Sequence, residues 1–321
     1  MLTMKNLTSF SSLKRFNKFS TMQYIATFTQ LIDYLKQNSV RKTAVVVWAS
    51  DENTRGAAFD AIEAGFVNVV FVGCRNEINA DPRANELSDR FQIIDAPDCD
   101  TASVIAVNEI RQGRGDILMK GMLNTDNLLR AVLNKETGIL PAGNVLTHIT
   151  GATIPTYHKL LFFSDVAVIP APTPEQRAAQ IDYITNLTHK LGIKTPRIAL
   201  IHCSEKVDER HFPFTADYAM LSENSAKGLL GDVIVDGPMD VKVACSYDAM
   251  VKKNLISPVN GDADALIFPN IVAGNAFYKT LTLFAGSSVA GIIVGASVPI
   301  VLPSRGDSML SKLYSLALAA L

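Results

Sequence analysis

The run TAVVVW at residues 43–48 decides the fold class, because it is a continuous apolar stretch with the length of one β-strand. Residues 52–65 follow with a helical pattern that ends at a glycine, and residues 68–72 form the next apolar run. The same alternation recurs as a helix at residues 102–112 and a strand at residues 116–119. Apolar strands separated by helices are typical of a parallel sheet that is covered on both faces. The sequence therefore predicts an α/β fold.

The alternation continues toward the C-terminus after a zone without a clear pattern at residues 141–155. A helix start is predicted where Thr173 can cap, Pro174 suits the first helical position and Gln176 completes a capping box. A final amphipathic helix is predicted from about Asp307. Further strands are predicted at residues 165–169, 197–201, 232–235, 265–268, 291–294 and 300–302.

The composition is that of a folded globular protein, since 48% of the 321 residues are hydrophobic and 19% are charged. The formal net charge of −1 gives no global field that would attract nucleic acid or an acidic lipid surface. The four cysteines are scattered without a CxxC pair, which argues against a disulfide framework or a zinc site and favours a reducing, cytoplasmic setting. No apolar run reaches the roughly 18 residues that a membrane span needs.

The first 21 residues differ from the rest, since they are rich in Ser and Thr, carry four basic residues and contain no acidic one. A transit peptide would have this composition, and so would an extension produced by a translation start upstream of Met22. We expect residues 1–21 to be a disordered leader without a catalytic role.

The segment PSRGD at residues 303–307 places a hydroxyl, a guanidinium and a carboxylate between a buried strand and the final helix. In open α/β sheets, ligands bind just beyond the carboxyl ends of the strands, where helix N-termini present N–H groups that suit phosphate. Arg305 can hold a phosphoryl group through two parallel hydrogen bonds. The residues alone leave open that Asp307 only caps the helix and that Arg305 lies on the surface.

The segment SPVNGDADALIFPNIVAGNAFYK at residues 257–279 is the second that could carry chemistry. Its apolar strand ends at Pro269, and Gly274 and Asn275 fall in the first turns of the helix that follows. A glycine inside a helix costs about 1 kcal/mol relative to alanine, so its presence indicates the close approach of another group. That group could be a ligand or a neighbouring helix.

Together these segments resemble the phosphate acetyl/butyryltransferase family, whose members share the pattern SPVxGxAxxLIFPxxxAGNxxYK and a later strand that ends in SRG or SRA. Matches at LMKG (residues 118–121) and VIVDGP (residues 233–238) extend the resemblance to the whole chain beyond the leader. Asp307, the following SMLSKLYSLALA and the stretch YHKLLFFSD at residues 157–165 are similar to butyryl-type members. Acetyl-type members have an acidic residue seven positions after the serine, where this chain has Ser311.

The resemblance implies two doubly wound α/β domains with a cleft between them, similar to the isocitrate/isopropylmalate dehydrogenase-like fold. The first domain would comprise residues 22–145 and 287–321, and the second residues 146–286. The implied reaction is acyl-CoA + phosphate = acyl phosphate + CoA, with a butyryl or other short acyl group and direct attack of the CoA thiolate in a ternary complex. Coenzyme A and phosphate are substrates here, and no tightly bound cofactor and no metal are implied. The implied assembly is a homodimer or a larger homo-oligomer.

The same resemblance assigns roles to six residues. Ser304 would donate a hydrogen bond near the sulfur or the oxyanion, Arg305 would neutralise the phosphoryl group, and Asp307 would accept the thiol proton. For the lysine that follows the strand at residues 116–119, a role on the surface remains an open alternative. The substrate-binding residues would be Lys120, Asn275 and Lys279.

Three other functions stay open as alternatives: a phosphate acetyltransferase, a dehydrogenase of the similar fold, and a non-catalytic ligand sensor. A dehydrogenase should show paired acidic ligands such as DxxxD on a helix near the cleft, and the sequence has no convincing pair. The histidines show no metal-ligand spacing and no GxSxG motif accompanies them, so we expect each to be structural. They are His148, His158, His189, His202 and His211.

Overall fold

The computed structural model describes residues 24–37, 40–304 and 306–321. The predicted leader at residues 1–21 and Arg305 therefore lie outside the described residues. The helices are α1 (Phe28–Gln37), α2 (Glu52–Ala64), α3 (Arg75–Asn79), α4 (Cys99–Arg111), α5 (Thr125–Val132), α6 (Pro174–Lys190), α7 (Phe214–Ala226), α8 (Val241–Cys245), α9 (Tyr247–Lys252), α10 (Ile271–Phe284) and α11 (Met309–Ala319). The strands are β1 (Lys42–Val47), β2 (Val67–Gly73), β3 (Phe91–Asp95), β4 (Ile117–Lys120), β5 (Thr147–Thr153), β6 (Leu161–Ser164), β7 (Arg197–Ile201), β8 (Ile234–Met239), β9 (Ala265–Ile267), β10 (Ser288–Val294) and β11 (Ile300–Val301).

The strands in the described ranges form one sheet, in the order β3-β2-β1-β4-β11-β10-β5-β6-β9-β7-β8. β1, which comes from the run TAVVVW, lies between β2 and β4 and pairs in parallel with both. Residues 44–47 of this strand are fully buried, because core clusters under helices cover both faces of the sheet. The prediction of an α/β fold is confirmed.

The sheet is mixed, so the expectation of a parallel sheet holds only on either side of its centre. β10 runs antiparallel to β11 and to β5, and β5 runs antiparallel to β6. β5 lies within residues 141–155, where the sequence shows no clear pattern, because its residues THITGAT are mostly polar or small. A strand of this composition lacks the continuous apolar run that identifies β1.

The strand predicted at residues 165–169 is wrong, because the strand in this region is β6, which ends at Ser164. The Asp165 carboxylate accepts hydrogen bonds from the backbone N–H groups of Ala167 and Val168, at 2.7 and 2.8 Å. These bonds fold the segment into a tight turn. Apolar residues inside a turn of this kind imitate the pattern of a short strand.

Three helix ends have sequence signals: a glycine after α2, a capping box before α6 and Asp307 before α11. The structure follows the first two. α2 ends at Gly65, which has a left-handed φ of 86°. α6 begins with the predicted capping box, in which Thr173 and Gln176 each bond the other's backbone N–H. α11 is capped by Ser308 and not by Asp307. The Asp307 carboxylate therefore belongs to the loop before the helix and does not serve as the helix cap.

The two faces of the sheet are covered differently. On one face a single core cluster packs under α1, α2, α6, α7 and α11. On the other face two separate clusters lie side by side. The α5 cluster, under α4 and α5, includes Val45, Leu118, Leu128, Val132, Ile293 and Ile300. The α10 cluster, under α8, α9 and α10, includes Ala152, Phe163, Leu266, Phe268, Leu281 and Val289.

The predicted domain boundaries fall in the loops just before β5 and just before β10. The sheet continues across both positions, since β5 pairs with β10 along its whole length. The division into residues 22–145 with 287–321 and residues 146–286 stays a prediction.

The longest helix of the described part of the chain is α6, with 17 residues. No helix there is both long and apolar enough to cross a membrane.

Candidate active site

Between the α5 cluster and the α10 cluster, the sheet presents small and polar residues. On β10, Val289 belongs to the α10 cluster and Ile293 to the α5 cluster, so Gly291 between them faces the same way. On the neighbouring β5, His148 and Thr150 share this face, and Thr150 pairs with Gly291. These small and polar residues form the floor of a cleft between the two clusters.

The loop from Ser304 to Asp307 follows β11 and closes into a turn through two hydrogen bonds. The backbone N–H of Ser304 donates to Oδ2 of Asp307 at 2.7 Å, and the backbone N–H of Asp307 donates to the carbonyl of Ser304 at 3.1 Å. Ser304 is exposed and Asp307 is half-buried. The turn therefore fixes the Asp307 carboxylate against the backbone of Ser304, while Arg305, between them in sequence, lies outside the described residues.

Tyr278 joins this turn to α10. Its hydroxyl donates to Oδ1 of Asp307 at 3.4 Å, so both oxygens of that carboxylate accept hydrogen bonds. Burial and the negative charge of Asp307 raise the pKa of Tyr278, which keeps the phenol protonated and able to donate. Tyr278 is not among the site residues predicted from the sequence, although it is the tyrosine of the AGNxxYK pattern.

Lys279 is exposed, and its ammonium lies 4.7 Å from the centre of the Tyr278 ring. This cation–π contact keeps a positive charge beside the tyrosine that bonds Asp307. The predicted role of Lys279 in substrate binding stays a prediction.

Gly274 and Asn275 dock α10 onto the turn after β6. A Cβ atom on Gly274 would lie 2.2 Å from the carbonyl oxygen of Asp165, so a larger residue would push the helix away. The side-chain Nδ2 of Asn275 donates to the carbonyl of Val166 at 3.0 Å. The group that approaches the glycine is thus a loop backbone, and neither a ligand nor a helix is needed to explain it. The predicted contact of Asn275 with substrate stays a prediction.

Asp165 is buried and holds together the elements around it. Its Oδ2 accepts hydrogen bonds from the Thr147 hydroxyl at 2.7 Å and from the backbone N–H of His148 at 3.0 Å. Its Oδ1 accepts the two N–H groups of the turn after β6. The carboxylate has four donors and fixes the end of β5 against the turn on which α10 rests.

Lys120 ends β4 and is buried, which corrects the alternative of a surface lysine. Its ammonium donates to the carbonyls of Gly121 and Leu123, at 3.1 and 3.0 Å. Lys120 lies two residues after Leu118 of the α5 cluster, so its side chain starts on the cleft face of the sheet. The predicted role in binding phosphate stays a prediction.

His148 is the functional candidate that sequence reasoning missed. Its side chain is on the cleft floor, the residue is 8% exposed, and Nδ1 lies 3.2 Å from the Thr150 hydroxyl. Burial lowers the pKa of His148, and the negative charges of Asp165 and Asp307 oppose that effect without overcoming it. The ring is therefore neutral at physiological pH. The signal would have been its place on β5, which the sequence did not reveal.

The described part of the chain thus brings Ser304, Asp307 and Tyr278 into one hydrogen-bonded group, and it places Asn275 one turn earlier on the same helix as Tyr278. A carboxylate, hydroxyls and a neutral imidazole around one cleft can move a proton and stabilise a developing oxyanion. No group of His, Cys, Asp and Glu side chains within the described ranges is arranged to hold a metal ion.

Comparison with known proteins adds a family and several relatives. The protein-family model described as Phosphate acetyl/butaryl transferase matches residues 98–320. Phosphate butyryltransferase from Clostridium acetobutylicum is 37% identical over 299 residues, which are 92% of this chain and 98% of that protein. Phosphate acetyltransferase from Thermotoga maritima is 34% identical over 282 residues, which are 87% of this chain and 94% of that protein.

Among solved structures, a branched-chain phosphotransacylase from Enterococcus faecalis V583 has a TM-score of 0.77 and 28% identity, covering 87% of this chain and 97% of that one. 4-Hydroxythreonine-4-phosphate dehydrogenase from Klebsiella pneumoniae has a TM-score of 0.50 and 14% identity, covering 87% of this chain and 98% of that one. The second similarity concerns the fold alone. It agrees with the predicted relation to a dehydrogenase-like fold.

Proposed function

This chain belongs to the phosphate acetyl/butyryl transferase family, and we propose that it transfers a short acyl group reversibly between coenzyme A and inorganic phosphate. The observation that carries this proposal is the turn at residues 304–307. It holds the Asp307 carboxylate on the backbone N–H of Ser304, at a cleft whose other wall supplies Tyr278. A carboxylate held there suits the task of accepting a thiol proton, because the thiolate is the reactive form of a group with pKa near 8.5.

The reversible reaction proceeds as follows in the direction of acyl-CoA synthesis. The CoA thiol gives its proton to Asp307 while its sulfur attacks the carbonyl carbon of the acyl phosphate. A C–S bond forms, and the π-electron pair of the carbonyl moves onto its oxygen. When the carbonyl re-forms, the C–O bond to phosphate breaks, and phosphate leaves with that electron pair and takes the proton from Asp307. Holding both substrates in attack geometry can lower the barrier by roughly 7 to 11 kcal/mol.

The remaining site residues have roles in this proposal that the resemblance suggests. Ser304 donates a hydrogen bond near the sulfur or the oxyanion, and Arg305, which lies outside the described residues, neutralises the phosphoryl group. Coenzyme A and phosphate enter as substrates, and the step as written uses no bound cofactor. The residues proposed to bind the substrates are Lys120, Asn275 and Lys279.

We propose butyryl or another short acyl chain as the preferred group. The support is the position of Asp307, three residues after Ser304, together with the 37% identity to the butyryltransferase of Clostridium acetobutylicum. Acetyl is the second candidate, favoured by the 34% identity to the acetyltransferase of Thermotoga maritima. Butyryl preference would place the enzyme in butyrate metabolism.

Three further properties complete the proposal. The chain forms a homodimer or a larger homo-oligomer and works in the cytoplasm, which the scattered free cysteines support. Two α/β domains, residues 22–145 with 287–321 and residues 146–286, provide the two walls of the cleft. The two separate core clusters on the cleft face support this division.

The direct test measures CoA release from butyryl-CoA with and without inorganic phosphate. The proposed enzyme releases CoA only when phosphate is present. A hydrolase would release it in both cases, and a ligand sensor in neither. A dehydrogenase would instead reduce a nicotinamide cofactor. Comparing kcat/KM for butyryl-CoA and acetyl-CoA then tests the acyl chain, and equal values or an acetyl preference would overturn the butyryl assignment.

Asp307→Asn tests the role of the carboxylate, because the amide oxygen can still accept the Ser304 N–H but is not a base. We expect a loss of about 10²- to 10⁴-fold in kcat, the usual contribution of a general acid or base. The matched control is Asp33→Asn on α1, which packs on the opposite face of the sheet and should leave kcat unchanged. Equal activity of both variants would remove Asp307 from the chemistry.

A further inference from the structure

We propose that the imidazole of His148 donates a hydrogen bond from Nε2 to the acyl carbonyl oxygen as the tetrahedral intermediate forms. This inference rests on the proposed acyl transfer and adds a catalytic residue to it. It starts from the position of His148 on the cleft floor, on the face of β5 that lies between the α5 and α10 clusters. An imidazole there places a polar ring edge on the floor of the cleft.

The orientation of the ring is fixed by the strand beside it. A Cβ atom on Gly291 would lie 2.8 Å from both Cε1 and Nε2 of His148, so the Nε2 edge of the ring lies directly over Gly291. Any residue other than glycine at this position would force the imidazole to move. The pairing of Gly291 with Thr150 keeps the ring between two strands of the floor.

The hydrogen bond between Nδ1 and the Thr150 hydroxyl is compatible with a proton on Nε2. Nδ1 lies 3.2 Å from the Thr150 hydroxyl, and a hydroxyl that donates to Nδ1 leaves the proton of the neutral ring on Nε2. In the ranges that the structure describes, Nε2 has no hydrogen-bond partner. In the proposed tautomer the proton is on Nε2, at the edge of the ring that lies over Gly291 on the cleft floor.

Burial keeps the ring in the neutral form that this role requires. Asp165 and Asp307 act on the imidazole from two different loops, and both would favour its protonation, yet burial outweighs them and lowers the pKa of His148. The Asp165 carboxylate is already engaged by four donors. Asp307 exerts its charge on the ring without forming an ion pair with it in the described part of the chain. Because the Asp307 charge acts on the ring, substrate that binds at the Asp307 carboxylate also lies near His148.

Asp307 and His148 then have complementary tasks in the same step. The carboxylate takes the thiol proton while the Nε2–H meets the oxygen that receives the π-electron pair of the carbonyl. When the carbonyl re-forms and phosphate leaves, that charge disappears and the hydrogen bond weakens. The imidazole neither gains nor loses a proton. A donor that bonds an oxyanion more strongly than a carbonyl accelerates the reaction without tightening substrate binding.

The experiment compares four variants with the parent enzyme in phosphate-dependent CoA release: His148→Ala, His148→Gln, Gly291→Ala and His158→Gln. We expect His148→Ala to lower kcat by about 10²- to 10³-fold, the cost of losing one oxyanion donor. The Gln variant keeps an N–H donor and should recover part of this loss. Gly291→Ala should lower kcat because its methyl group displaces the ring. His158→Gln, at an exposed histidine in the loop between β5 and β6, is the control and should match the parent.

The KM values for butyryl-CoA and phosphate separate this role from a structural one. We expect them to stay within about threefold of the parent values in all four variants, because the lost bond forms only in the transition state. Parent-like kcat in both His148→Ala and Gly291→Ala would overturn the inference, as would a Gln variant no better than Ala. If the parent chain itself shows no phosphate-dependent release, the proposed function fails instead. If His148→Ala does not fold, the Gln and Gly291 variants decide the question.

Discussion

Replacing Lys312 with methionine should destabilise the protein far more than removal of a surface lysine. Lys312 is 3% exposed, and its ammonium donates to Oδ1 of Asp51 and to the Thr54 hydroxyl, both at 2.9 Å. This contact ties α11, which follows the turn at residues 304–307, to the start of α2. Asp51 also accepts the backbone N–H of Thr54 as the cap of α2, while its Oδ2 is buried without a hydrogen bond.

The magnitude follows from that environment. Removing one partner of a buried ion pair costs about 3 to 5 kcal/mol, because the other charge stays buried without compensation. The Asp51 side chain is 14% exposed and keeps its bond to the Thr54 N–H, so we expect Lys312→Met to cost about 3 kcal/mol, the low end of that range. In the double variant Asp51→Asn/Lys312→Met no charge is left, and asparagine still caps α2. The double variant should therefore be more stable than Lys312→Met alone.

The assay is the free energy of unfolding from urea titration, measured at pH 7 and in acid. Burial opposes ionisation of Asp51, but the hydrogen bonds from Thr54 and Lys312 outweigh it and hold the pKa of Asp51 below its ordinary value of 3.8. A lowered pKa gives stability that is present above 3.8 and is lost as the pH falls through the folded value. The cost of Lys312→Met should therefore shrink in acid. A cost below about 1 kcal/mol at pH 7, the range of exposed pairs, or a double variant no more stable than the single one, would refute this reasoning.

Other predictions concern the loop, the helix docking and the thiols. Arg305→Ala should lower phosphate-dependent CoA release by at least about tenfold in a folded protein, the lower limit for losing a charged hydrogen bond to substrate, and near-full activity would remove Arg305 from the site. Gly274→Ala should cost about 1 to 3 kcal/mol in the free energy of unfolding, because its Cβ would collide with the Asp165 carbonyl; unchanged stability would mean that the helix adjusts freely. A thiol reagent at pH 8 should modify the exposed Cys203 and leave Cys245 intact, because burial raises the pKa of the Cys245 thiol to about 12; peptide mapping that finds Cys245 labelled first would contradict this.

The sequence predicts those parts of the fold in which one local signal is decisive. β1 is recognisable because all its residues after the first two are buried and apolar, and α6 because its cap, proline and glutamine occur together. β5 is not recognisable from the sequence. It lies on the floor of a cleft, so its Thr, His and Gly residues suit the surroundings of the strand and do not give a clear β-strand pattern. The antiparallel pairing of β10 with β5 cannot be predicted without β5.

The candidate site shows the same division. The turn at residues 304–307 is visible in the sequence because its residues are consecutive. The bond from Tyr278 to Asp307 joins residues 29 positions apart and depends on how closely α10 docks, which the contacts of Gly274 and Asn275 with the turn after β6 explain. The sequence marks that glycine as a close approach but does not identify the partner. His148 is hidden for the same reason, because the position of its ring over Gly291 depends on the register of β5 and β10.

The contacts of Asp165 connect β5 on the cleft floor with α10 on the cleft wall. Its side chain accepts a hydrogen bond from the backbone N–H of His148, and its carbonyl packs closely against Gly274. A displacement of α10 would therefore also displace β5. These contacts couple the position of the His148 imidazole to that of α10, the helix that carries Tyr278. On the opposite wall, the Lys120 ammonium holds the segment that follows it through the carbonyls of Gly121 and Leu123.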